Sequence, residues 1–162
     1  MVVLTITTGS YSQNTQTNKP LGKETTRKIP LRPIGYVNDF EGLLTDEQVK
    51  QLTEIIKKHE QQTTDQIAIV TLTSLKPYEN IDEFSLNLAN QWGVGQKGKN
   101  NGVLIAIAAG LGKIRIQNGY GIESRLTDPE TKRIIDELII PEFRSRNYYE
   151  GLKKALEAIL KN

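Results

Sequence analysis

Residues 102–109 read GVLIAIAA, a run with no polar side chain. A strand that is apolar at every position is buried on both faces, so this chain needs a layer of structure above and below it. Gly110 to Gly112 makes a tight turn, and Lys113 to Asn118 (KIRIQN) then alternates as a hairpin partner with one face more exposed. A second strand is expected over Asp65 to Thr73 (DQIAIVTLT), which is β-branched and alternating.

Helical spacing fills the rest. Thr45-Asp46-Glu47-Gln48 fits a capping box, and Val49, Leu52, Ile55, Ile56 and His59 follow on one face. Ile81, Phe84, Leu88, Ala89 and Trp92 give a second helix that stops at Gly93. Thr127-Asp128-Pro129-Glu130 reads as another capping box, with proline early in the first turn. Its helix carries Ile134, Ile135, Leu138 and Ile139, and Pro141 is expected to break or kink it. Asn147, with Glu150 three residues on, is expected to cap a last helix bearing Tyr148, Leu152, Ala155, Leu156, Ile159 and Leu160. The segment from Ile29 to Leu44 reads as an extended lead-in. The resulting α/β alternation predicts a three-layer α/β/α sandwich with a small mixed sheet.

At 162 residues the chain suits one domain with a tail. Residues 1–30 are rich in Thr, Ser, Asn and Gln and read as a disordered tail ahead of a domain over 31–162. Val2 to Gln13 also matches the end of a secretory signal peptide, though without its positively charged start. A formal net charge of +2 with no dense Lys/Arg run argues against nucleic acid as a partner. The absence of cysteine excludes disulfides, thiolate metal sites and cysteine nucleophiles. No stretch reaches the about eighteen apolar residues of a membrane helix.

Residues 93–98, GVGQKG, spell G-x-G-x-x-G. A dinucleotide loop needs a strand before the glycines and a helix after, so that the helix N-terminus meets the pyrophosphate. Here a helix precedes and a strand follows, and no Gly-Lys-Ser/Thr occurs, so the loop is not read as nucleotide-binding. Three other places gather oxygen donors: Asn38-Asp39, the Gln96 to Asn101 loop, and Gly119 to Asp128. Carboxylates, amides and glycine-freed carbonyls are the hard ligands of Ca²⁺ or Mg²⁺. The same residues also serve ordinary turns and helix starts.

Taken in order, VNDFEGLLT, QIAIVTL, NQWGVGQKGKNNGVLIAIA, KIRIQNGYGIESRLTD and IIPEFRSRNYYEGL resemble the TPM domain family. The resemblance runs from about Ile34 to Ile159, nearly all of the folded part. It implies an α/β/α sandwich in an exported or periplasmic protein, and possible partners in a membrane-associated complex. It also implies divalent-metal binding, chiefly of calcium, and acid phosphatase activity for some members. Matched position by position, the resemblance points to Asp39, Asn100, Asn101, Glu123 and Asp128 as metal ligands. A phosphatase would need metal-activated water or an Asp39 or Asp128 nucleophile, with Lys97 and Lys99 holding phosphate. The only histidine, His59, lies on a helix face and is not read as catalytic. Tyr36, Phe40, Tyr120, Tyr148 and Tyr149 serve either packing or an interaction surface. Three functions stand open: an exported Ca²⁺/Mg²⁺-binding module in protein assembly or repair, a metal-assisted phosphatase, and a metal-free interaction domain.

Overall fold

The computed structural model describes residues 27–162. The signal-peptide reading of Val2 to Gln13 lies outside them. Four strands form one mixed sheet in the order β1-β2-β3-β4: Val37–Asp39, Gln66–Thr71, Gly102–Ala108 and Lys113–Asn118. β1, β2 and β3 are parallel, and β4 returns antiparallel to β3. α1 (Asp46–Thr63) connects β1 to β2, and α2 (Ile81–Trp92) connects β2 to β3. α3 (Asp128–Arg133), a π-helical stretch over Ile134–Ile139, α4 (Ile140–Arg144) and α5 (Tyr148–Leu160) complete the chain.

β3 explains the layering. Every residue from Gly102 to Ala108 is buried. Val103, Ile105 and Ile107 face α1, α5 and the α3–α4 region, where Leu52, Ile56, Ile135 and Leu156 close the larger core. Leu104, Ala106 and Ala108 face α2, where Ile81, Phe84 and Leu88 close the smaller one. The strand therefore sits between two helical layers, as its composition requires. The strands advance in one direction while α1 and α2 lie on opposite faces. The two crossovers thus have opposite hands, and one departs from the usual right-handed connection.

Several local expectations change. The lead-in contains β1, because Val37, Asn38 and Asp39 pair with Ile69, Val70 and Thr71. Ile29, where the lead-in begins, is 1% exposed and exchanges two hydrogen bonds with Gln91. The Thr45 capping box forms in full, whereas Thr127 forms half of one: its hydroxyl accepts from Glu130 N, but the Glu130 carboxylate pairs with Arg133. Asn147 stands at the N-cap of α5 but makes no side-chain cap bond, and its side-chain amide donates to Glu142 instead. Pro141 does not end the helix. The wider π-helical turn before it absorbs the lost amide donor, and α4 follows directly with the proline in its first turn. Among the described residues, no helix is long and apolar enough to cross a membrane.

Candidate functional site

A cleft of about 150 Å³ opens where β3 begins and β4 ends. α2 supplies Leu86, Ala89 and Asn90, the preceding loop supplies Val94 and Asn100, and the sheet supplies Leu104, Gln117 and Asn118. Tyr120 and Glu123 from the next turn close it.

Backbone packing builds this end. Asn100 has φ +50, and its carbonyl accepts from Gly121 N at 2.9 Å. A Cβ at Gly119 would strike Asn100 O, and one at Gly121 would strike Lys99 O. Gly95, from the GVGQKG stretch, has φ +102, and a Cβ there would lie 2.8 Å from Gly102 N. These glycines let the 93–102 segment fold against itself and against the turn at 119–121 through backbones, which accounts for them without a phosphate.

Glu123 lines the cleft, and Asp128, close enough to act on its charge, lies beyond the lining residues. Partial burial and the nearby Asp128 carboxylate both raise the Glu123 pKa above its ordinary value. Asn118 donates through Nδ2 to Leu126 O at 3.1 Å, while its buried Oδ1 has no hydrogen-bond partner. A bare acceptor and a partly buried acid thus line one cleft, both of them groups that take a donor or a cation. The oxygen donors are the hard type that Ca²⁺ and Mg²⁺ take. Among the described residues, no three His, Cys, Asp or Glu side chains gather as a metal cluster, so a cation would draw on amide and carbonyl oxygens as well.

The other expected ligands are placed differently. Asn101 is 5% exposed and holds the loop shut: Oδ1 accepts from Gln96 N at 2.8 Å and Nδ2 donates to Thr64 O at 2.9 Å. Asp39 is at the opposite end of the sheet. It aligns with Thr71 and, through β2, with Ile107, five residues along β3 from Gly102. At ~3.3 Å per residue this is about 16 Å from the cleft. Its carboxylate accepts from Leu43 N at 3.0 Å, Leu44 N at 2.9 Å and Thr71 Oγ1 at 2.7 Å. Of the five residues expected as metal ligands, Asp39 therefore stands apart from Asn100 and Asn101. A residue that ends β1 and one that precedes a parallel β3 lie at opposite ends of the sheet. Lys99 Nζ reaches Thr64 Oγ1 at 3.3 Å, and Lys97 is exposed.

Asn118 was not singled out in the sequence. Its one signal is its place as the last residue of the alternating KIRIQN strand, where the chain leaves the sheet. Beside the cleft, Arg125 holds Asp65 with two hydrogen bonds of 2.9 and 3.0 Å, and His59 Nε2 lies 3.6 Å from the same carboxylate. Most aromatics pack: Tyr148 stacks edge-on with Phe143 at 5.0 Å, Tyr149 donates to Gln51, and Phe40 joins the smaller core. Tyr120 is 60% exposed at the cleft rim.

The TPM domain family matches residues 37–162. The fold is similar to the solution structure of the N-terminal domain of a protein from P. gingivalis. That likeness has 37% identity and a TM-score of 0.68, over 78% of this chain and 80% of the other. The N-terminal domain of cg2496 protein from Corynebacterium glutamicum shares the fold at 15% identity, with a TM-score of 0.61 over 83% and 84% of the two chains. No curated protein matches in sequence. With a match from β1 to the final residue, the chain belongs to the TPM domain family.

Proposed function

We propose that this domain is an exported divalent-cation-binding module that acts in protein assembly, repair or interaction. The observation that supports a cation is that Glu123, raised in pKa by burial and by Asp128, lines the same cleft as Asn118, whose buried Oδ1 has no hydrogen-bond partner. Asn100, Glu123 and Asp128 remain from the sequence reading, and Asn118 joins them. Asn101 shapes the loop, and Asp39 stands apart. A bound cation supplies charge neutralisation for the two acids. The chain's own part is to hold the acids and amides at one place through the loop contacts around Gly119 and Gly121. Export rests on the family resemblance.

Titration calorimetry with Ca²⁺ and with Mg²⁺ tests the site. Saturable heat is expected with the unaltered chain, and loss of about tenfold or more in affinity with Glu123→Gln or Asp128→Asn. Proton and cation compete for Glu123, so affinity falls with pH already above the ordinary glutamate range. Unaltered binding in both variants removes the site, and no heat with either ion favours the metal-free interaction domain. The metal-assisted phosphatase would use Asp128 in this cleft. Phosphate release from an aryl phosphate that depends on the cation and is lost in Asp128→Asn is its test.

A further inference from the structure

The parallel pairing of β1 with β2 stops early. β2 has six residues, but β1 reaches only Ile69, Val70 and Thr71. Alternate residues of a strand direct their N–H and C=O to alternate sides. Gln66 N donates to Asn101 O and Leu72 N to Ile107 O, so the even-numbered residues face β3. Ile69 N donates to Tyr36 O, so the odd-numbered residues face β1. Ile67 thus directs its backbone pair to where β1 would lie two residues earlier, and no bond among the described residues fills that place. The cause is local. Asn38 Oδ1 accepts from Ile34 N at 2.7 Å and Gly35 N at 3.3 Å, which curls the chain off the sheet and leaves Ile34 73% exposed.

An open groove of about 350 Å³ runs along this edge. Tyr36 and Glu60 wall it on the α1 side, Trp92 and Val94 on the α2 side, with Ile67 between. An unpaired donor and acceptor on one residue of a strand edge are satisfied together by one extended chain. Glu60 accepts from Tyr36 Oη and Gln66 Nε2, and no basic side chain pairs with it among the described residues.

We infer that the β2 edge at Ile67 docks an extended peptide from a partner chain, with a basic side chain toward Glu60 and apolar side chains against Trp92 and Val94. The period of two in a strand delivers this pattern: a lysine on one face of the peptide and its two neighbours on the other. The inference is independent of the cation site.

The test is an NMR titration of the full chain with the blocked peptide acetyl-Thr-Val-Lys-Val-Thr-amide. Saturable shifts are expected at the Ile67 and Ala68 amides and the Trp92 indole, with slower exchange at Ile67 than in the free chain. Peptides N-methylated at alternate amides, one for each register, separate strand addition from apolar sticking. One register is expected to lose about tenfold in affinity. Glu60→Gln is expected to remove the preference for lysine over norleucine at the centre. Equal binding of both N-methylated peptides overturns the inference. So does an Ile67 amide as protected as Ile69 in the free chain, or protection that rises with protein concentration alone, which assigns the edge to a second copy.

Discussion

Asp39 holds Leu43 and Leu44 by their amides at the approach to α1, and Thr71 on the neighbouring strand by its hydroxyl. Removing it orphans two amides in a half-buried turn. Asp39→Ala is expected to lower unfolding free energy by about 1–3 kcal/mol, seen in urea melts, and to leave cation titrations unchanged. Asp65 answers to pH. Burial alone would raise its pKa, but hydrogen bonds and charge from Arg125, aided by His59, hold it below the ordinary value of 3.8. The stability this gives is present above that value and is lost as pH falls through the depressed one. Arg125→Ala leaves burial with less opposition, so the acid-unfolding midpoint, followed by circular dichroism, is expected to move to higher pH.

At the scale of elements, glycine positions divide by what a methyl would meet. In Gly151→Ala the new Cβ lies 2.8 Å from the Phe143 ring, itself packed on Tyr148. The overpacking cost of about 1–3 kcal/mol outweighs the helix propensity gained, about 1 kcal/mol. A lower melting temperature is the expected reading, with Gly110→Ala, which meets only Glu41 Oε2 at 3.5 Å, near neutral. The long elements were legible because their signal is sustained: β4, α1, α2 and α5 each carry an apolar period, and β3 is apolar throughout. β1 was not, because three residues are too few for alternation and Asn38-Asp39 reads as a turn. Asn38 does make a turn with its side chain, while its backbone pairs in the sheet. The π-helical turn before Pro141 has no sequence period of its own.

At the scale of the whole molecule, the closure of both faces over β3 makes its side chains equally costly to remove. Ile105→Ala in the larger core and Leu104→Ala in the smaller one are each expected to lose about 2–5 kcal/mol in denaturant melts. A sheet with one wet face would show the loss on one side alone. The grouping of the candidate site residues depends on the sheet as well. Asn100, Glu123 and Asp128 were named through the family resemblance, and they lie in loops joined by the single β3–β4 hairpin. Which end of the sheet a loop occupies depends on strand direction, and that became visible only with the pairing of β1.

The backbone contacts among Gly95, Gly102, Gly119 and Gly121 also decide where the chain tolerates extra length. Residues inserted into 93–102 would have to push the turn at 119–121 away from the strand ends, since no side chains lie between to give way. Thr73 and Ser74 are exposed, and the bonds of the turn that follows, Lys76 N to Ser74 Oγ at 3.2 Å and Tyr78 N to Leu75 O at 2.9 Å, lie on the far side of the Thr73–Ser74 link. A tag or reporter loop belongs between those two residues, where added chain leads into solvent.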